Sequence, residues 1–139
     1  MILVRVQDVV EWLEKVQKLD ELIMAKQAEY NQLITKATKV TPEMTGMPHA
    51  GGVTDKVGNY SIKLAMKAEE INAALDRYID MRDEVLHVLE QLPAKEYGVL
   101  HREYIRYMTQ EAIADEMGYS VVQIWRIKQS GLLLLCNMK

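Results

Sequence analysis

One spacing constrains this chain more than anything else in it. From Val9 to Val40 apolar residues recur three and four positions apart (Val9, Trp12, Val16, Leu19, Ile23, Tyr30, Leu33, Ala37, Val40), with Lys26 as the one interruption and no Gly or Pro before Pro42. Alternating threes and fours keep these side chains on one face of an α-helix, the seam of a coiled coil or a helical hairpin. At about 1.5 Å per residue, that helix is on the order of 50 Å long. A second seam runs through Leu64, Ala68, Ile71, Leu75, Tyr78, Val85, Leu89 and Leu92, interrupted by Arg82. Ser61 can cap this helix and Pro93 stops it.

Between the seams, Thr41 to Tyr60 holds Pro42, Gly46, Pro48, Gly51, Gly52 and Gly58, which reads as a glycine-rich loop over 41–60. Compact domains rarely carry so long a loop without a reason. The simplest packing is a long antiparallel hairpin of helices at about 5–40 and 61–92, one domain over residues 1–92. Leu22, Met24, Leu86 and Val88 are left over for a third helix or a second subunit. A homodimer through the long helices and a purely intramolecular core stand as equal alternatives.

Composition excludes several classes. The chain has 139 residues, 49% hydrophobic and 27% charged, with no Phe, which suits one all-α globular protein. Cys136 is the single cysteine, so neither an internal disulfide framework nor a thiolate zinc site can form. Met1-Ile2-Leu3-Val4-Arg5, followed by Asp8, Glu11 and Glu14, lacks the pattern of a signal peptide. The longest apolar run, Leu132 to Cys136, falls far short of the ~18 residues that span a bilayer. No membrane association is expected, and a cytoplasmic location is. The net charge of −3 divides unevenly: residues 1–92 carry −4, residues 93–139 carry +1, and no acidic residue follows Gly118.

The last third changes character at Pro93, a favoured first-turn residue, with Val99, Leu100, Tyr104 and Ile105 marking a buried face. Two short helices then follow, Gln110 to Met117 and Val121 to about Ser130. Their spacing is that of a helix-turn-helix. Ala114 is small where two helices cross, Gly118 supplies the positive φ that the turn requires, and Ser120 caps the second helix. Ile124 and Ile127 point inward with Ile113 and Met117. The outward face is then Ser120, Val121, Val122, Gln123, Trp125, Arg126, Lys128 and Gln129. In a major groove, Arg126 can bind guanine, Gln123 and Gln129 adenine, and Val121 or Val122 a thymine methyl. Ser120, Lys128 and Arg106 are placed for phosphates.

Leu92-Pro93-Ala94-Lys95-Glu96, Leu100, Arg102, Tyr104-Ile105, Thr109 through Ser120 and Ile124-Trp125-Arg126-Ile127 resemble region four of bacterial sigma factors, whose helix-turn-helix reads the −35 promoter element. The wider arrangement, including the loop from Thr45 to Gly58, resembles phage-encoded regulators of the RinA/ArpU kind. The resemblance implies a helix-turn-helix domain over residues 93–139, double-stranded DNA as ligand, RNA polymerase as partner and a phage or prophage origin. Two departures stand out. Val121 and Val122 replace the polar residues usual in the sigma recognition helix. Ser130-Gly131 and then four leucines, Leu132 to Leu135, replace its basic end, so a helix break is expected at Gly131.

Other chemistry is thin. His49, His87 and His101 are scattered, and Glu84 with His87 is one half of a carboxylate-bundle metal motif whose other half is missing. Glu69-Glu70 reads as a solvated helix face, and neither a nucleophilic set nor a phosphate loop occurs. The expectation is therefore a non-catalytic protein without metal or cofactor, a sequence-specific DNA-binding transcriptional regulator. The alternative is an interaction adaptor or inhibitor that works through its hairpin and whose helix-turn-helix no longer binds DNA; Val121, Val122, Trp125 and the leucine tail favour it.

Overall fold

The computed structural model of the chain describes residues 5–40 and 50–138. Every regular element among them is helical: α1 (Val6–Val40), α2 (Ala50–Leu89), α3 (Ala94–Leu100), a π-helical turn (His101–Ile105), α4 (Gln110–Met117) and α5 (Val121–Cys136). None of these helices is long and apolar enough to cross a membrane.

Two boundaries differ from the sequence reading. The expected loop over 41–60 is helical from Ala50 onward, so Gly51, Gly52 and Gly58 lie inside α2; residues 41–49 fall outside the described part. A glycine costs a helix about 1 kcal/mol without forbidding it, whereas no proline interrupts the chain between Pro48 and Pro93. The second difference lies in α5, which runs through Gly131 to Cys136 instead of breaking. Gly131 is buried where α5 crosses α3. A Cβ there would stand 2.9 Å from Leu100 Cδ1 and 3.3 Å from Glu96 Cβ. Its role is close approach, not termination.

The chain divides into two compact units, Met1–Asp20 with Tyr78–Lys139 and, separately, Glu21–Arg77. The first contains one hydrophobic cluster in which Val9, Leu13 and Val16 of α1 meet Val85 and Leu89 of α2, Leu92, Leu100, Tyr104 and Ile105, and Leu132 and Leu135 of α5. The cluster draws on both sides of Pro93, so the compact units part elsewhere than at the expected boundary of residues 92 and 93. Leu86 and Val88, left over in the sequence reading, pack against it. Leu13 replaces Trp12 as the buried residue of the α1 seam, and Trp12 is half-buried. Half of the leucine tail thus has its cover, while Leu133 and Leu134 stay exposed.

In the second unit α1 and α2 run antiparallel, as two ion pairs show: Lys26 with Glu70 at 3.3 Å and Lys67 with Glu29 at 2.8 Å. Its buried apolar residues, among those described, are Ile23, Ile71 and Ala74. Ala74 takes the place expected of Leu75, which is exposed. Glu70 is bound into these pairs at the helix surface.

Candidate nucleic-acid interface

The geometry of residues 109–124 follows from local chemistry. Thr109 sits in an extended conformation and its hydroxyl oxygen accepts a hydrogen bond from the Ala112 amide at 3.2 Å, starting α4. Gly118 ends α4 in the left-handed region (φ 75°), which glycine reaches at least cost. Ser120 starts α5 with a reciprocal cap. Its Oγ accepts from the Gln123 amide at 3.2 Å, and Gln123 Oε1 accepts from the Ser120 amide at 2.9 Å. Two helices with such ends lose few backbone hydrogen bonds at the turn. Ile113, Ala114, Ile124 and Val99 form a second cluster, flanked by Met108, Met117, Tyr119 and Ile127, which holds α3, α4 and α5 together.

With Ile124 inward, α5 turns the other face outward. Ser120, Val121, Val122, Gln123, Trp125 and Arg126 are exposed, with Val122 at 58% and Trp125 at 52%; Lys128 and Gln129 are half-buried. The groups differ in how free they are. Arg126 has no hydrogen-bond or ion-pair partner among the described residues. Ser120 and one end of the Gln123 amide are engaged in the cap. Lys128 forms an ion pair with Glu103, its side chain only 17% exposed, and its ammonium lies 5.5 Å from the centre of the Tyr104 ring. Arg106, expected near phosphate, binds Glu116 at 3.1 Å, and Arg102 joins the same carboxylate at 3.2 Å. Those guanidiniums, Arg106 foremost, hold the Glu116 carboxyl below its usual range.

Sequence reasoning missed the segment between α3 and α4. The backbone widens into a π turn in which the Arg106 amide reaches back to the His101 carbonyl at 3.1 Å, and Tyr107 then takes a left-handed conformation (φ 57°). That detour swings Glu103 to Lys128 and opens a polar cleft of ≈ 340 Å³ edged by Glu14, Glu103, Tyr107, Thr109 and Lys128. Glu103 Oε1 and the Tyr107 hydroxyl are buried there without a well-formed hydrogen bond. Burial, with Glu103 beside it, raises the Tyr104 phenol far above its ordinary value, so it stays protonated. No local pattern announces a π turn; its two buried residues, Tyr104 and Ile105, pack on the first cluster.

Neither a protein-family model, nor a curated protein, nor a solved structure matches this chain.

Proposed function

We propose that the protein is a sequence-specific DNA-binding transcriptional regulator, phage or prophage encoded and acting with RNA polymerase at promoters. One observation carries the reading: a capped, glycine-turned helix pair exposes the first two turns of an acid-free α5, with Arg126 unpaired at its outer face. Laid in a major groove, Arg126 would donate two hydrogen bonds to a guanine, Val121 and Val122 would touch thymine methyls, and the free end of the Gln123 amide would meet an adjacent base. Lys128 reaches phosphate only by exchanging Glu103 for it. So few free cations give weak phosphate neutralisation, and binding then leans on a second contact such as polymerase.

A second reading has its own support. Val121, Val122, Trp125 and Leu133 make the exposed side of α5 apolar, as suits docking on another protein. Fluorescence polarisation with a random duplex at low and moderate salt separates the two. Binding that falls steeply with salt supports the regulator, and no binding even at low salt supports the adaptor. On a selected operator, Arg126→Ala is expected to reduce discrimination at one base position by about 1–3 kcal/mol. Unchanged discrimination would remove Arg126 from the reading surface.

A further inference from the structure

The second unit has two unlike edges. Along one, Lys26–Glu70 and Lys67–Glu29 clasp α1 to α2. The other edge carries no charge along its centre, with Glu21, Glu69 and Asp76 at its margins. On α1 it presents Met24, Gln27, Asn31 and Ile34, and positions 28, 35 and 38 of the same face are Ala, Thr and Thr. On α2 it presents Leu64, Ala68, Asn72 and Leu75, with Ser61 and Ala65 on the same face. The spacing of threes and fours puts each set on one helix face. A groove of ≈ 230 Å³, lined by Gln27, Tyr30, Ala68, Ile71, Asn72 and Leu75, joins the two faces. Met24 is 66% exposed and Leu75 38%. The hydroxyls of Thr35 and Thr38 already donate to the carbonyls of Asn31 and Ile34, which leaves the edge less polar still.

We propose that this edge of the α1–α2 pair, uncharged along its centre, is the interface through which two copies of the chain associate as a four-helix bundle. The proposal is independent of whether α5 binds DNA. Three arguments favour a second copy as occupant. Among the described residues the pair buries only Ile23, Ile71 and Ala74, a thinner core than an antiparallel helical unit usually has. A centre without charge offers nothing to select a charged partner but complements itself, and amides such as Gln27, Asn31 and Asn72 both donate and accept, so they can pair with their own copies across a two-fold axis. Its size also suffices. From Glu21 to Val40 α1 rises about 30 Å, and two helices side by side are about 20 Å wide, so two such faces bury about 1,200 Å² in total, the lower bound of stable interfaces.

Sedimentation of the full chain tests it, with Asn31→Asp/Asn72→Asp as the edge variant, Leu75→Glu as a second, and Met66→Glu as a control on another face of α2. Met66 is 59% exposed. The wild type is expected at twice its 16.0 kDa mass. The near-isosteric Asp pair brings charge without changing volume and is expected to weaken self-association at least about tenfold, with helicity by circular dichroism unchanged. Leu75→Glu is expected to do the same, and Met66→Glu is expected to stay dimeric. A wild type that is monomeric throughout overturns the proposal and leaves the edge to a different protein. A dimer that survives both edge variants, or that Met66→Glu breaks equally, overturns it too.

Discussion

The two units are built from the same pair of long helices, yet they bury very different amounts of side chain. Around Met1–Asp20 and Tyr78–Lys139, four helices share Leu13, Leu89, Leu100, Leu132 and Leu135, all nearly inaccessible. Among the described residues of Glu21–Arg77 the same helices have only each other, and Met24, Ile62, Met66 and Leu75 stay in water. What differs is the number of neighbours. A two-helix pair can cover one stripe of each helix and no more, whereas added helices cover the flanks. Helical periodicity therefore says that a stripe exists, but not how completely it will be covered.

The largest test of that contrast is truncation. Leu89→Ala in the first unit is expected to cost about 2–5 kcal/mol, because a full leucine cavity opens among well-packed neighbours. Leu75→Ala in the second is expected to cost less than about 1 kcal/mol in the monomer, since the side chain is already partly wet. Chemical denaturation of each variant measures both. Similar losses at the two positions would erase the distinction between the units.

Gly131 sharpens the contrast from the opposite direction. In an open helix, replacing glycine gains propensity; here an added side chain meets Leu100 and Glu96. Gly131→Val is expected to destabilise by about 1–3 kcal/mol through overpacking. A thermal melt that rises would show that α3 and α5 leave room for a side chain at Gly131. Ser120→Ala comes next, at about 1 kcal/mol, by removing the cap that fixes where α5 begins. Its effect should appear as lost helicity confined to the first turn of α5 in amide chemical shifts.

Much of this was legible in the sequence. Gly118 and Ser120 announced their conformations because the reason for each is local: a positive φ and an unpaired amide. Ile113, Ala114 and Ile124 announced their burial because helical spacing and residue size agree. Where the cause is distant, the sequence was silent. Gly131 has the same local chemistry as a helix stop and differs only in what packs against it. Trp12 and Leu13 are adjacent on the helix, and the choice between them rests on the neighbours supplied by α2 and α5. Likewise Lys128 looks like a free cation until the π turn brings Glu103 to it. The outer face of α5 could be read as a set of residues, but not which of them stand free.

The smallest expected effect is one of pH, and it too distinguishes the units. His101 stacks at 5.3 Å on the Tyr97 ring, and burial first, then Arg106, Arg102 and Arg82, lowers its pKa below the ordinary 6.5. The folded state thus prefers the neutral imidazole. Its contribution is complete above pH 6.5 and is lost as the pH falls from there through the folded-state value, because the unfolded chain then binds more protons. In the second unit the pair works elsewhere on the scale: Lys67 holds the Glu29 carboxyl below 4.5, and Glu29 raises Lys67 above 10.5. Stability should therefore decline through the first unit between about pH 7 and pH 5, the range of histidine titration. The partly exposed ring keeps the loss small. His101→Gln should flatten that decline in denaturation midpoints across the range. A slope that persists in the variant would assign the titration to another group and take His101 out of the comparison.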